Sequence, residues 1–481
     1  MELLILSLLL FVPTLYFLYL IFNIPKATKG NGKIVHPPPG SSGWPVFGET
    51  LDYLHTLKNG FPEKFISDRQ KKYSSDVFKT SLLGESMVFL CSAEGNKFLF
   101  SNENKLVKSW WPKNVDTIFA KPEKTTEEEA AKMRKTLSPL LKPNALRKYV
   151  AIMDLMSKKH IKTYWDGKDQ VKVQPLTKKY ALALACRVLL NIEDQSIVEK
   201  FAESIGKISS GIISFPVNLP GTNFNRAIRA SKQLKEEIEK LVVKIRIDLV
   251  ENKVAPTNDI LSDMFKEAYS NGETMNNDSE IAYTLGGLLV GAGDTVSLSL
   301  FCIVMCLAER PQVYEGVFRE QMEISKAKGD GELLNWEDIQ KMRYSWCVAC
   351  EVMRLFPPSP GTFREAITDF TYEGFLIPKG FKFHWNAHAT HKNPKYFSDP
   401  EKFDPSRFEG KGPTPFSYVP FGGGPRMCPG NEYARVKILV FMHNVVTNFK
   451  LEKVFSGEKI IMGPALTAEK GLPIHLYPHK P

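Results

Sequence analysis

Cysteine is scarce in this chain, with seven among 481 residues. The count is odd, and Cys91, Cys186, Cys302, Cys306, Cys347, Cys350 and Cys428 are scattered, which excludes a disulfide framework as the source of stability. Cys347-x-x-Cys350 has no second pair to complete a zinc site and falls in a helical stretch, so it reads as core packing. His384, His388 and His391 lack a cysteine or carboxylate at ligand spacing, and a zinc centre needs three or four convergent ligands. The chain has no dinucleotide-binding glycine fingerprint. It also has no aromatic-basic module for nucleic acid. The net charge of +10 therefore points to an anionic membrane surface or an acidic protein partner.

Charge is missing from two long runs. Leu3 to Ile24 is uncharged and matches the roughly 20 residues that one bilayer crossing needs. Lys26, Lys29 and Lys33 follow it, and positive charge on that side places the bulk of the chain in the cytosol. The expectation is a single-pass anchor over residues 1–25, a basic, proline-rich hinge over 26–43 carrying Pro37-Pro38-Pro39-Gly40, and a folded domain over 44–481. The second run, Ile281 to Ala308, carries one charged side chain, Asp294. It could pass for another membrane span. At about 42 Å it could equally be a helix buried through the middle of a large domain. A lone carboxylate there costs several kcal/mol, roughly, unless it has a task.

What the chain does have is concentrated near its C-terminal end, in Phe421-Gly422-Gly423-Gly424-Pro425-Arg426-Met427-Cys428-Pro429-Gly430. The glycines free the backbone and would let a flat ligand approach. A helical stretch, Asn431 to Phe449, follows the cysteine. A thiol at a helix start is biased toward thiolate, and thiolate is a strong ligand for redox-active iron.

The spacing F-x-x-G-x-R-x-C-x-G resembles the haem-binding loop of the haem-thiolate monooxygenases, the cytochrome P-450 superfamily. It recurs by chance in about one chain of this size in ten thousand. The resemblance implies a mainly α fold with a minor β region, a long central helix over a haem, and an N-terminal membrane anchor. It implies haem b (iron protoporphyrin IX), with Cys428 as the iron ligand, Phe421 and Gly430 shaping the loop, and Arg426, Arg364 and Arg134 meeting the propionates. Ala130 stands where the superfamily usually has a tryptophan ahead of Arg134. Gly291-Ala292-Gly293-Asp294-Thr295 resembles the oxygen-activation motif, with Ala292 in place of a glycine. There Thr295 would be the direct proton donor and Asp294 the relay behind it. Glu351, Arg354 and Arg407 match a structural Glu-Arg-Arg triad supporting the haem loop.

The likeness narrows to plant oxidases that act on triterpenes such as β-amyrin, carried by Phe98 to Trp111, Gly211 to Ser231, Asn335 to Phe356 and Phe363 to Phe375. Their typical reaction carries the C-28 methyl through alcohol and aldehyde to acid. Substrate contacts are expected from Trp110, Leu288, Ala292, Thr362, Phe363 and Leu466. The apolar break around Ser214-Phe215-Pro216 and Leu219-Pro220-Gly221 resembles a substrate-entry lid that touches the membrane. The implied partners are O2, an apolar triterpenoid, membrane lipid and an NADPH-cytochrome P-450 reductase, with the chain at the endoplasmic reticulum. Three rivals remain on the residues alone. They are oxidation at another triterpenoid or terpenoid position, a haem-thiolate isomerase or dehydratase, and a non-enzymatic protein spanning the membrane twice.

Overall fold

The computed structural model describes residues 28–30, 33–44, 47–59, 62–120, 127–212, 214–251, 258–270, 277–458, 460–462 and 466–479. The expected anchor, residues 1–25, lies outside them. The chain divides into two compact units.

The first unit comprises Met1–Trp111, Pro360–Ser398 and Thr414–Met427. Its main sheet has strands β1 (Val77–Leu82), β2 (Glu85–Leu90), β3 (Val107–Trp110), β4 (Gly361–Ala366) and β5 (Lys382–Asn386), in the order β1-β2-β5-β4-β3. The β-branched and aromatic runs Val77 to Leu82 and Met87 to Cys91 predict a hairpin around Gly84-Glu85, and β1 and β2 form one, with β2 starting two residues earlier, at Glu85. Leu83 and Gly84 both have positive φ, 57° and 79°, which matches the right-handed twist of the strands they join. Strand β5 lies parallel to β2 and antiparallel to β4. Alternation splits the side chains between two cores. Val77, Val88, Leu90, Phe383 and Trp385 pack together in one, and Phe65, Phe78, Met87 and Phe89 in the other. The proline-rich stretch is laid along β1. The Pro39 carbonyl accepts from Lys79 N–H at 2.8 Å, and Ser41 N–H donates back to the Lys79 carbonyl at 3.2 Å. A Cβ on Gly40 would sit 1.9 Å from that carbonyl oxygen, so only glycine fits. After β5 the histidine stretch forms a short helix, Ala387–His391, where the sequence suggests a loop. The Asn386 side chain caps it by accepting from His388 N–H.

The second unit comprises Pro112–Ser359, Asp399–Pro413 and Cys428–Pro481. Its longest helix, Asp278–Glu309, is capped by Asn277 and packs against Val173–Leu190 and Asn223–Val250. It is long and apolar enough to cross a membrane, yet 61% of its most apolar window is buried inside the protein, as in a core helix. The sequence suggests one helix from Leu176 to Val198. The structure ends it at Leu190, where Asn191 takes the left-handed conformation at φ 55°, and a new helix runs Gln195–Ile212. The helix expected from Ala227 begins earlier, at Asn223, because the Thr222 hydroxyl accepts from Asn225 N–H. Arg343–Leu355 stops just ahead of Pro357-Pro358 and buries Cys347 and Cys350. The cysteine helix, Asn431–Asn448, runs into Phe449–Lys453. That strand pairs with Pro473–Pro478, which pairs in turn with Gln170–Lys172.

Candidate functional site

In the second unit, three residues four apart open one face of the central helix. Gly287, Gly291 and Thr295 are all exposed, and a Cβ placed on either glycine meets nothing within 4 Å. Leu288 and Ala292 flank this face, half-buried. The Thr295 hydroxyl donates to the Gly291 carbonyl at 2.6 Å. Asp294, the next residue round the helix, points elsewhere, and its carboxylate accepts a hydrogen bond from the Ser209 hydroxyl on Gln195–Ile212. The lone acid in the apolar run therefore has a partner.

Cys428 lies two residues before Gly430, the N-cap of the cysteine helix, and is partly buried. Burial pushes its thiol pKa up, and a hydrogen bond with the Gly430 backbone pulls the other way. Iron would reverse the balance, since a coordinating thiol is deprotonated outright. Among the described residues, no group of three or more histidines, cysteines or acids could hold a metal ion. A lone sulfur such as that of Cys428 would suit a metal already held by a macrocycle.

The same unit holds Glu351, Arg354 and Arg407 together. Arg354 donates to both Glu351 oxygens at 2.6 and 2.8 Å, and both side chains are fully buried. Glu351 Oε1 also accepts from Asp404 N–H at 2.8 Å, and Arg354 reaches the Lys402 carbonyl. Arg407 is looser. Its Nε lies 3.5 Å from Glu351 Oε1, an ion-pair distance without hydrogen-bond geometry. Arg134 falls in the helix Glu127–Leu140 and Leu466 opens the strand Leu466–Ala468. Both side chains lie outside the described residues.

In the first unit, Arg364 and Arg426 converge on Glu103. Arg364 Nε donates to one carboxylate oxygen, and Arg426 Nε lies 3.4 Å from the other. Glu103 and Arg364 are buried, while Arg426 is 30% exposed. Two guanidiniums on one carboxylate leave a net positive charge, which suits an anionic group such as a propionate. Arg364 also donates to the Thr362 hydroxyl at 3.0 Å, as does Trp385 Nε1–H at 2.9 Å. Trp110 and Phe363 face each other across β3 and β4, edge to face at 5.7 Å. The triple glycine packs closely against Phe100. Gly422 and Gly424 have φ of 70° and 64°, and a Cβ on Gly423 would sit 2.3 Å from the Phe100 ring. Phe421 is half-buried beside them. Two of the three histidines are engaged inside this unit, where His391 Nε2 accepts Val419 N–H and His384 Nδ1 lies 3.3 Å from the Thr362 carbonyl.

Within the second unit the soft thiol donor and the open glycine face fit the chemistry of a haem-thiolate site; within the first, the surplus guanidinium charge suits a carboxylate-bearing ligand. Sequence reasoning missed Glu103, Ser209 and Lys437. Lys437 is fully buried on the cysteine helix and donates to the carbonyls of Ala181 and Ala292. A lysine inside the otherwise apolar run Val436 to Met442 is the one signal that could have found it.

A family model described as Cytochrome P450 matches residues 37–474. A protein of Solanum lycopersicum named β-amyrin 28-monooxygenase is 54% identical over 464 residues, covering 96% of each chain. One of Medicago truncatula with the same name is 52% identical, covering 99% of this chain and 98% of its own. A β-amyrin 16-β-monooxygenase of Platycodon grandiflorus is 50% identical, covering 92% and 93%. Among solved structures, retinoic acid bound cyanobacterial CYP120A1 superposes with a TM-score of 0.80 at 28% identity, covering 92% of this chain and all of that one.

Proposed function

This chain belongs to the cytochrome P450 family and is a haem-dependent monooxygenase, and on that premise we propose that it oxidises the C-28 methyl of β-amyrin-type pentacyclic triterpenes, through alcohol and aldehyde to acid. The observation that carries the substrate is likeness over nearly the whole chain to proteins named for that reaction, at 52 to 54% identity. A second position is favoured by one specific relative. The 16-β-monooxygenase is 50% identical, so C-16 stands as the alternative site on the same skeleton.

Haem b, when bound, supplies dioxygen activation and the oxidising power for an unactivated C–H bond. Cys428 would give its sulfur to the iron. Arg364 and Arg426 would hold propionate oxygens, with Glu103 fixing the planes of both guanidiniums. Phe421 and Gly430 bound the loop. Gly287 and Gly291 keep side chains off the face where Thr295 displays its hydroxyl. Thr295 Oγ1 delivers protons, and Asp294, held by Ser209, resupplies them. Trp110, Leu288, Ala292, Thr362, Phe363 and Leu466 contact the substrate. The Glu351, Arg354 and Arg407 cluster supports the loop and takes no part in the chemistry.

Electrons come from a separate NADPH-cytochrome P-450 reductase. Residues 1–25 cross the endoplasmic reticulum membrane once and leave the catalytic domain in the cytosol. Arg134 is a further propionate partner from its helix. The deciding experiment is turnover of β-amyrin by the full chain in microsomes with reductase and NADPH, with products identified by mass spectrometry and NMR. Oxidation at C-28 is expected. Exclusive oxidation at another carbon, or none, overturns the assignment.

A further inference from the structure

Lysine is rarely fully buried, and taking a lone ammonium out of water is costly unless its hydrogens find acceptors. Lys437 has no exposed surface. It sits on the cysteine helix, Asn431–Asn448, and its Nζ donates to the Ala181 carbonyl at 2.5 Å and to the Ala292 carbonyl at 3.2 Å. The Tyr433 ring lies one turn back, 5.4 Å from the ammonium. Burial lowers the Lys437 pKa to about 7, which measures how poorly the site solvates a charge.

The two carbonyl contacts are unequal in interest. Ala181 belongs to a helix that packs along the central one. Ala292 belongs to the central helix itself and follows Gly291 directly. The Gly291 carbonyl accepts the Thr295 hydroxyl, so two successive carbonyls of this turn are engaged by side chains. Gly287 and Gly291 bring no side chain to brace the turn, and a Cβ on Gly293 would meet only the Leu182 methyl, at 3.8 Å. The backbone here is therefore more pliable than elsewhere in the helix. Its one long-range polar tie to the helix that follows Cys428, among the described contacts, is the Lys437 ammonium.

We propose that Lys437 is a positioning residue for proton delivery: by holding the Ala292 carbonyl it fixes the turn that aims the Thr295 hydroxyl. This rests on the role given above to Thr295, and the test separates the two. Lys437→Met keeps length and removes the donor, Lys437→Gln keeps an N–H, and both are compared with Thr295→Ala and with the Lys437→Met/Thr295→Ala double variant in the full-length haem-loaded enzyme. Product formed per oxygen consumed is measured, alongside the carbon monoxide difference spectrum and hydrogen–deuterium exchange of the peptide spanning residues 289–298.

Lys437→Met should lower coupling about five-fold, the order expected for one hydrogen bond, with the 450 nm band retained and faster exchange in that peptide. Lys437→Gln should restore most of the coupling. The double variant should be no less coupled than Thr295→Ala alone, because both changes remove the same event. Wild-type coupling in Lys437→Met, or additive losses in the double variant, overturns the proposal. If Lys437→Met fails to retain haem, Lys437→Leu, which also lacks the donor, takes its place under the same two measures. Unchanged coupling in Thr295→Ala would instead overturn the role of Thr295.

Discussion

Glu351 and Arg354, one helical turn apart, exchange two charge-assisted hydrogen bonds of 2.6 and 2.8 Å with neither side chain reaching solvent. A buried pair of this kind is dangerous to break, because the survivor keeps its charge and loses its partner. Arg354→Ala should cost about 3 to 5 kcal/mol of stability. Arg407→Ala, which removes the looser 3.5 Å contact and a 3.1 Å hydrogen bond to the Asp399 carbonyl, should cost about 1 to 2 kcal/mol. Denaturant unfolding of the two variants checks the order. Equal losses would show that Arg407 is held more tightly than its geometry indicates.

Cys428→Ala should abolish the 450 nm carbon monoxide band and all turnover. Difference spectra of the purified variant check this. Substrate oxidation at the normal rate would mean that the sulfur is not the iron's ligand.

Ser209→Ala removes the donor that holds Asp294. Released, the carboxylate is free to turn toward water, and proton resupply should slow. Turnover should fall about ten-fold or more, as for one lost hydrogen bond to a charged group. Steady-state rates with reductase and NADPH are the check. A wild-type rate would place the proton route elsewhere.

Several histidines are buried and held neutral. Burial lowers the pKa of His160 and His388 to about 3, and that of His384 and His443 to about 4, from 6.5. Between pH 6.5 and 4 the unfolded chain binds protons there that the folded chain does not. Stability is thus complete above 6.5 and is lost as pH falls toward the folded values, by up to about 1.4 kcal/mol per pH unit for each histidine. His443→Gln should make that slope shallower by about one such increment. A slope unchanged by the substitution would show that His443 is hydrated in the folded protein.

Much of the fold was legible because its signals are local. The β1–β2 hairpin announces itself by strand residues around Gly84, and the end of Arg343–Leu355 by two prolines. The break at Asn191 was not legible, since it interrupts an apolar run with a residue that most helices tolerate. Within the site, the cysteine loop and the Gly291–Thr295 turn stand out as short motifs. Their partners do not. Glu103 meets Arg364 from 261 positions away, and Lys437 meets Ala292 from 145, distances over which periodicity and spacing carry no information. Phe100 is a further case, an ordinary core aromatic in sequence that dictates glycine at two distant positions.

That last packing ties the loop's chemistry to a residue outside it. Anyone redesigning position 423 inherits position 100 as a silent co-variable. A smaller side chain there would have to be installed first, and the loop edited second. Taken in the other order, the first step is a collision between a methyl and a benzene ring.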